Sequence, residues 1–433
     1  MEPFLIFIFL IACLLLILST GLPIAFSMGM VGIIGFFLFL SPNDLIQVAR
    51  TVYTNGMSPT LIVVPLFVLM AEIISSSGYG NDIYSALYKW LNWLPGSLAS
   101  CTVAAAAVFA AVCGSSVATA ATVGLVGIPQ MLKKGYSKRL ACGATAVGGG
   151  LGILIPPSLG FIIYGMITET SIAKLFMAGF VPGILMAALL ICVITVASIL
   201  KPSLAPGREK VEWGERFRCL GTVIPIGLLI IVVLGSLYLG VATVEEAAAV
   251  GAIGALAIAA AYRRLTWKVL KGALLTTARV TGMVFFIVFG GMLFAYLVTS
   301  LEIPQAMSKF ISSLSVNRWV IMAAINIMYL ILGCLFEGVA MTIITMPFIF
   351  PMIVALGFDP VWFGVILIIN IEIGLLTPPV GMNLFVVKSI VPKDVSWADI
   401  IYGSLPFTLV DLMGMIILMI FPGIALWLPS QMK

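Results

Sequence analysis

The sequence predicts an all-α polytopic membrane protein built from two inverted-topology repeats, each with a re-entrant helical hairpin and a proline-broken helix. Three observations predict this class. Of 433 residues, 62% are hydrophobic and 9% charged, with a mean hydropathy of +1.22; a soluble domain carries about 25% charged residues. Two apolar stretches long enough to cross a bilayer are interrupted by Gly and Pro, at Gly148–Gly160 (GGGLGILIPPSLG) and Gly374–Met382 (GLLTPPVGM). An ordered series of Gly and Pro also recurs between the two halves at a nearly constant offset. Gly21, Gly32 and Gly35 return 219 residues later; Pro129, Gly135, Gly152, Pro156 and Pro157 return after 222; Gly179 and Pro182 return after 224. Chance yields one or two such matches in a Gly-rich chain, but not an ordered series.

A spanning helix needs about 20 apolar residues. Phe4–Leu18 and Leu22–Leu40 form a tight pair, and Pro59–Ser76 a third span. No basic segment precedes Phe4 and no cleavage site is evident, so the first stretch is expected to be a retained span. Asn81–Pro95 carries Asp82, Lys89, Trp90 and Trp93 and suits the membrane interface. Ser97–Leu132 is too long for one span and has a small, hydroxyl-rich middle, GSSVATAATVG. It reads as two half-length helices meeting at a tip near Gly114-Ser115-Ser116. The broken helix Leu140–Thr168 follows, then Leu175–Leu200 and a charged central loop, Lys201–Arg218.

The second half opens with Cys219–Leu239 and Val241–Tyr262. A basic connection (Arg263, Arg264, Lys268, Lys271) leads to Arg279–Thr299. Trp319–Leu356 is the second hairpin, tipped near Phe336-Glu337-Gly338. Val361–Lys388 is the second broken helix, and Gly403–Leu428 the last span. The chain thus divides into framework helices at 1–96 and 219–318, hairpin plus broken helix at 97–168 and 319–388, a connecting helix and loop at 169–218, and a C-terminal helix at 389–433.

If each hairpin returns to its own side, 17 basic residues fall on one face and five (Arg50, Lys174, Lys309, Arg318, Lys433) on the other. The positive-inside rule makes the first face cytoplasmic. Both termini then face outward, and the hairpins enter from opposite sides. The net charge of +5 is spread over short loops and gives no reason to expect nucleic acid as a partner; the bilayer is the expected surroundings. The seven cysteines show no CxxC spacing and read as small packing residues.

Chemistry is expected where the tips and breaks converge. A proline has no N–H and its ring clashes with the preceding turn, so a helix running into Pro156-Pro157 or Pro378-Pro379 must open. Lipid cannot satisfy the freed backbone groups, so they belong where protein buries them or where they line a polar cavity. Half-helix N-termini suit a carboxylate; half-helix C-termini and unwound carbonyls suit Na⁺. Ser115, Ser116, Thr119, Thr122, Ser158, Thr342, Thr345 and Thr377 can add hydroxyl oxygens, and Asn383 an amide. Small hydroxyl residues also let membrane helices pack closely, so each of these keeps a second reading.

Glu337 is the most informative side chain, since an acid at membrane depth is costly. Na⁺ ligand, proton carrier and gate are all open to it. Glu372, five residues before Thr377, comes second; Glu72 and Asp411 read as structural partners of polar neighbours. There is no histidine, which excludes Ser–His hydrolysis and HExxH metalloprotease chemistry. Every lysine lies at or outside a span end, which leaves a Ser–Lys dyad no base. The chain is not expected to be an enzyme or to need a cofactor.

GLPIAFSMG at Gly21–Gly29, CGSSVATAATVG at Cys113–Gly124, GGGLGILIPPS at Gly148–Ser158 and GLLTPPVGMN at Gly374–Asn383 together resemble the large membrane subunit of tripartite ATP-independent periplasmic (TRAP) transporters, the DctM-like permeases. The likeness covers essentially the whole chain. It implies a Na⁺-driven importer of organic acid anions in a bacterial or archaeal inner membrane. It also implies an elevator motion, in which hairpins and broken helices move as one transport domain against a scaffold. The implied partners are a periplasmic substrate-binding protein and a small four-helix membrane subunit, expected here as a separate chain.

Carried over onto this sequence, one Na⁺ site uses Ser115 and Ser116 with Gly152, Pro156 and Ser158. The other uses Gly333, Glu337 and Gly338 with Gly374, Thr377 and Val380. Substrate is expected at Thr119, Thr122, Pro157, Thr342, Pro379, Gly381 and Asn383. The chain departs from the family's pattern at Thr119, where many relatives carry Asp. The main alternative is a stand-alone divalent-anion/Na⁺ symporter, which needs no binding protein. A passive channel is the other, though it has no need to hold broken helices at two matched positions.

Overall fold

In the computed structural model, residues 3–40, 45–206, 211–313 and 316–432 are described. Residues 207–210 of the central loop and Lys433 lie outside them. The described residues are helical, without a strand. The first half runs α1 (Pro3–Ser19), α2 (Ile24–Phe39), α3 (Leu45–Gly56), α4 (Val63–Ser76), α5 (Tyr79–Leu91), α6 (Ser97–Cys113), α7 (Ser116–Lys133), α8 (Lys138–Leu154), α9 (Leu159–Thr168) and α10 (Ile172–Leu200). After α11 (Trp213–Arg218) the second half runs α12 (Leu220–Tyr238), α13 (Val244–Ala261), α14 (Trp267–Ser300), α15 (Ile303–Ser313), α16 (Arg318–Gly333), α17 (Gly338–Ala355), α18 (Pro360–Leu375), α19 (Met382–Ile390), α20 (Trp397–Ile420) and α21 (Gly423–Ser430). Among the described residues, eight helical stretches are long and apolar enough to cross a membrane.

On each side of the central loop a helical hairpin (α6–α7, α16–α17) precedes a helix broken at a Pro-Pro pair (α8–α9, α18–α19). Both Pro-Pro bonds are cis. These elements form the interior. Of the most apolar part of α8–α9, 89% is buried, against 28% for α12, which places α12 at the periphery. Helix α8 packs against α6, α7, α18 and α20, while α14 lies alongside α2 and α4 and meets the interior at α17. Gly143 and Gly403 let α8 and α20 touch by backbone: a Cβ on Gly403 would meet the Arg139 carbonyl.

Four expectations change. Residues 45–56 and 303–313 are helical (α3, α15), short and polar enough to escape a search for 20-residue apolar runs. Helix α11 falls inside the central loop. Helix α14 starts at Trp267, capped by the Thr266 hydroxyl, so the basic residues from Lys268 to Arg279 are helical and no loop separates them from the span. The last span is two helices: a capping box between Ser396 and Asp399 starts α20 before Gly403, and Pro422 splits it from α21.

Candidate functional site

Each hairpin turns for a local reason. Helix α6 ends at Gly114, whose φ of +65° is costly for any residue with a Cβ. Ser115 then caps α7 through its hydroxyl, which accepts from the Ala118 N–H at 3.5 Å. In the second hairpin, α16 ends at Gly333, and Glu337 opens α17 without a side-chain capping bond.

Each tip is tied to the helix break of its own half. The Leu159 N–H donates to the Gly114 carbonyl at 3.3 Å, and the Val380 N–H donates to the Cys334 carbonyl at 3.2 Å. A Cβ on Gly114 would lie 2.6 Å from the Pro157 carbonyl oxygen. Gly333 and Gly374 pack backbone to backbone.

The tips also meet each other. A cavity of about 60 Å³ is lined by Gly114, Ser115 and Ser116 of the first tip and by Glu337 and Gly338 of the second, closed by side chains of α8, α9 and α18. Helices α7 and α17, each 18 residues, both begin at this cavity, so two sets of free N–H groups and two positive dipole ends face it.

The expected oxygens are placed unevenly. Thr119 is fully buried with an unpartnered hydroxyl, and a Cβ on Gly152 would lie 2.6 Å from that oxygen and from the Ser115 carbonyl. Ser158 is buried and donates to the Ile153 carbonyl, closing the end of α8. Thr377 donates to the Ile373 carbonyl at 2.7 Å and Thr342 to the Gly338 carbonyl at 2.8 Å. Thr345 pairs with the Tyr329 hydroxyl at 2.8 Å. Thr122 is not brought to the cavity; it faces α4, 3.3 Å from the Ser75 hydroxyl. Pro156 and Pro157 are buried, whereas Pro379 is exposed and Val380 half-buried. Gly381 has a φ of +57° where α19 restarts.

Asn383 does not point at open space. Its Nδ2 donates to the Ser116 hydroxyl at 2.7 Å and to the Ala146 carbonyl at 3.1 Å, and its Oδ1 lies 2.9 Å from the same hydroxyl. Single-sequence reasoning had no signal for this pairing across 267 residues. Asp411 was expected to have polar neighbours. A neighbour the structure gives it is another carboxyl, Glu372; both are fully buried, none of their oxygens has a hydrogen-bond partner, and the Glu372 carboxyl lies against Gly150.

Residues 11–424 match the family model described as "Tripartite ATP-independent periplasmic transporter, DctM component". The chain is 34% identical over 405 residues to the C4-dicarboxylate TRAP transporter large permease protein DctM of Pseudomonas aeruginosa, covering 93% of this chain and 94% of that one. It is 32% identical to the sialic acid TRAP transporter large permease protein SiaM of Vibrio cholerae, over 96% of each chain. It is 33% identical to the 2,3-diketo-L-gulonate TRAP transporter large permease protein YiaN of Escherichia coli, over 95% of this chain and 96% of that one. Among solved structures, the YdaH transporter of Alcanivorax borkumensis superposes with a TM-score of 0.61 over 90% of both chains at 14% identity, a likeness of fold alone. The relatives are transporter permeases and not enzymes. With the family model matching residues 11–424 of this chain, the chain belongs to the DctM family and is a multi-pass TRAP transporter large permease.

Proposed function

We propose that this permease imports an organic acid anion driven by Na⁺, with substrate delivered by a periplasmic binding protein and with a small membrane subunit as partner. The observation that carries this reading is the cavity between the two tips, where α7 and α17 both begin. Two helix N-termini favour a carboxylate there. Substrates in the relatives' names (a C4-dicarboxylate, sialic acid, a diketo-gulonate) are carboxylates too. Na⁺ suits the flanking oxygens: the Ser115 carbonyl and the orphan Thr119 hydroxyl beside Gly152 in the first half, and the Cys334–Val380 turn around Gly333 and Gly374 in the second.

The two halves act as inverted repeats, and the hairpins and broken helices move as one body against α2, α4, α13 and α14, an elevator. A polar cavity of about 470 Å³ supports such a division. It separates the α9–α10 turn (Glu169, Thr170, Ser171) from Ser58, Thr60 and the start of α13 at Glu245. The 17-to-5 bias of basic residues supports both termini facing outward in the inner membrane.

The test is uptake into proteoliposomes holding this chain and its small subunit, with candidate binding proteins and acids varied, with and without an inward Na⁺ gradient. Uptake that needs Na⁺ and a binding protein supports the reading. Na⁺-driven uptake without a binding protein makes the chain a stand-alone symporter, and uptake driven by protons alone removes the Na⁺ assignment.

A further inference from the structure

Asn383 sits one residue into α19, in the second half, yet all its recorded side-chain bonds go to the first half. It is fully buried, and Ser116, in the first turn of α7, is 4% exposed. A serine hydroxyl has one proton and two lone pairs. Here the oxygen lies 2.7 Å from Asn383 Nδ2 and takes its N–H on one lone pair. The second lone pair is thereby held in a fixed direction. A hydroxyl oxygen fixed in this way suits a cation. Asn383 is itself held in place: its second amide proton goes to the Ala146 carbonyl of α8. Gly149 makes the room, because a Cβ there would come within 3.1 Å of Asn383 Nδ2 and 2.5 Å of Ala120.

The tie has no counterpart in the opposite direction. At the offset of 222, Asn383 corresponds to Phe161 and Ser116 to Gly338, so neither member of the pair exists at the mirrored place. The fold therefore does not require this bond to form a hairpin against a broken helix.

We propose that Asn383 is a positioning residue that, from the second half of the chain, fixes the Ser116 hydroxyl oxygen for Na⁺ at the first tip. It thereby links cation binding in one half to the conformation of the break in the other. Asn383 acts through Ser116, since both its amide protons are already used. The inference rests on the Na⁺-coupled reading above.

The test measures Na⁺-induced thermal stabilisation of the purified full chain, which needs no substrate or binding protein, together with uptake as a function of Na⁺ and of substrate. Asn383→Ala and Ser116→Ala should each raise the Na⁺ needed for half-maximal stabilisation by about tenfold, the usual cost of losing a group that orients a metal ligand. The double variant should be no worse than either single one, since both remove the same interaction. Ser116→Thr, which keeps the hydroxyl, should retain most of the response. Additive losses, or an unchanged Na⁺ response with weakened substrate binding, would overturn the proposal. If Asn383→Ala does not fold, Ser116→Ala, which removes one oxygen, decides by the same Na⁺ readout. A wild-type chain indifferent to Na⁺ would sink the Na⁺-coupled reading and this inference together. A Na⁺-responsive wild type with indifferent variants would sink this inference alone.

Discussion

Gly333 and Gly374 touch through their main chains: a Cβ on Gly374 would lie 2.5 Å from the Gly333 Cα and 2.7 Å from its carbonyl carbon. The end of the second hairpin's first arm therefore rests directly on α18, one turn before the break. The obstruction is backbone and cannot swing aside as a side chain would. Gly374→Ala is expected to cost about 1–3 kcal/mol, the range for overpacking a tight core, and to abolish uptake. Thermal unfolding of the purified variant checks it; a wild-type melting temperature would show that the two helices separate easily.

Gly114 carries two penalties against substitution. Its φ of +65° disfavours any Cβ, and the Pro157 carbonyl would lie 2.6 Å from that Cβ. Gly114→Ala should cost at least the ~1–2 kcal/mol of a left-handed residue. Gly227 in α12 has nothing within 4 Å of its Cβ position and a helical backbone. Gly227→Ala should instead stabilise by about 0.5–1 kcal/mol. Paired unfolding curves decide, and equal effects would refute the local explanation.

Asp411 is sealed from water without a hydrogen-bond partner for either oxygen. Asp411→Ala should raise stability by about 1–3 kcal/mol, the desolvation cost of an unsatisfied buried polar group. A fall in the melting temperature would mean that Asp411 has a partner in another state of the transporter. Substrate uptake by the same variant shows whether the acid is also needed during transport.

At the opposite end of α8, Lys138 bonds the Asp394 carboxylate at 2.8 Å. The Lys138 ammonium, through this hydrogen bond and its charge, holds the Asp394 carboxyl below the usual carboxylate range. A carboxyl lowered in the folded state contributes stability above its ordinary value, near 3.9, and loses it as pH falls through the lowered one. The pair is solvent-exposed, so the effect is small. Asp394→Asn should leave neutral-pH stability nearly unchanged and flatten its decline in acid. A large loss at neutral pH would show a role beyond this surface contact.

Most of the interior was legible because Gly and Pro act on their own backbone whatever surrounds them. Gly114, Pro156-Pro157, Gly338 and Pro378-Pro379 mark turns that the structure places within a residue or two of expectation. Pro422 carried the same signal, but the run Gly403–Leu428 stayed apolar across it and read as one helix. Helices α3 and α15 were missed for a different reason: the search was for membrane-length apolar runs, and these are 12 and 11 residues long. The cavity's composition could be read from tip residues alone. The direction each side chain takes could not. Ser116 and Asn383 were both candidates, but nothing local says that they bond to each other, or that Thr122 turns toward Ser75.

Helix α14 has 34 residues. At 1.5 Å per residue it is about 50 Å long, well beyond the ~30 Å of a bilayer's hydrocarbon. Its apolar part, Val280–Ser300, accounts for about 30 Å of that. The remainder, with Lys268, Lys271 and Arg279, must stand in the headgroup layer or beyond it. Helix α14 thus works as a depth gauge, with one end cut to membrane thickness and the other weighted with charge toward anionic lipid. The framework helices resting on it, α2 and α4, inherit that depth. Bilayer thickness and headgroup charge should therefore act on this transporter through a helix that lines no part of the cavity between the tips.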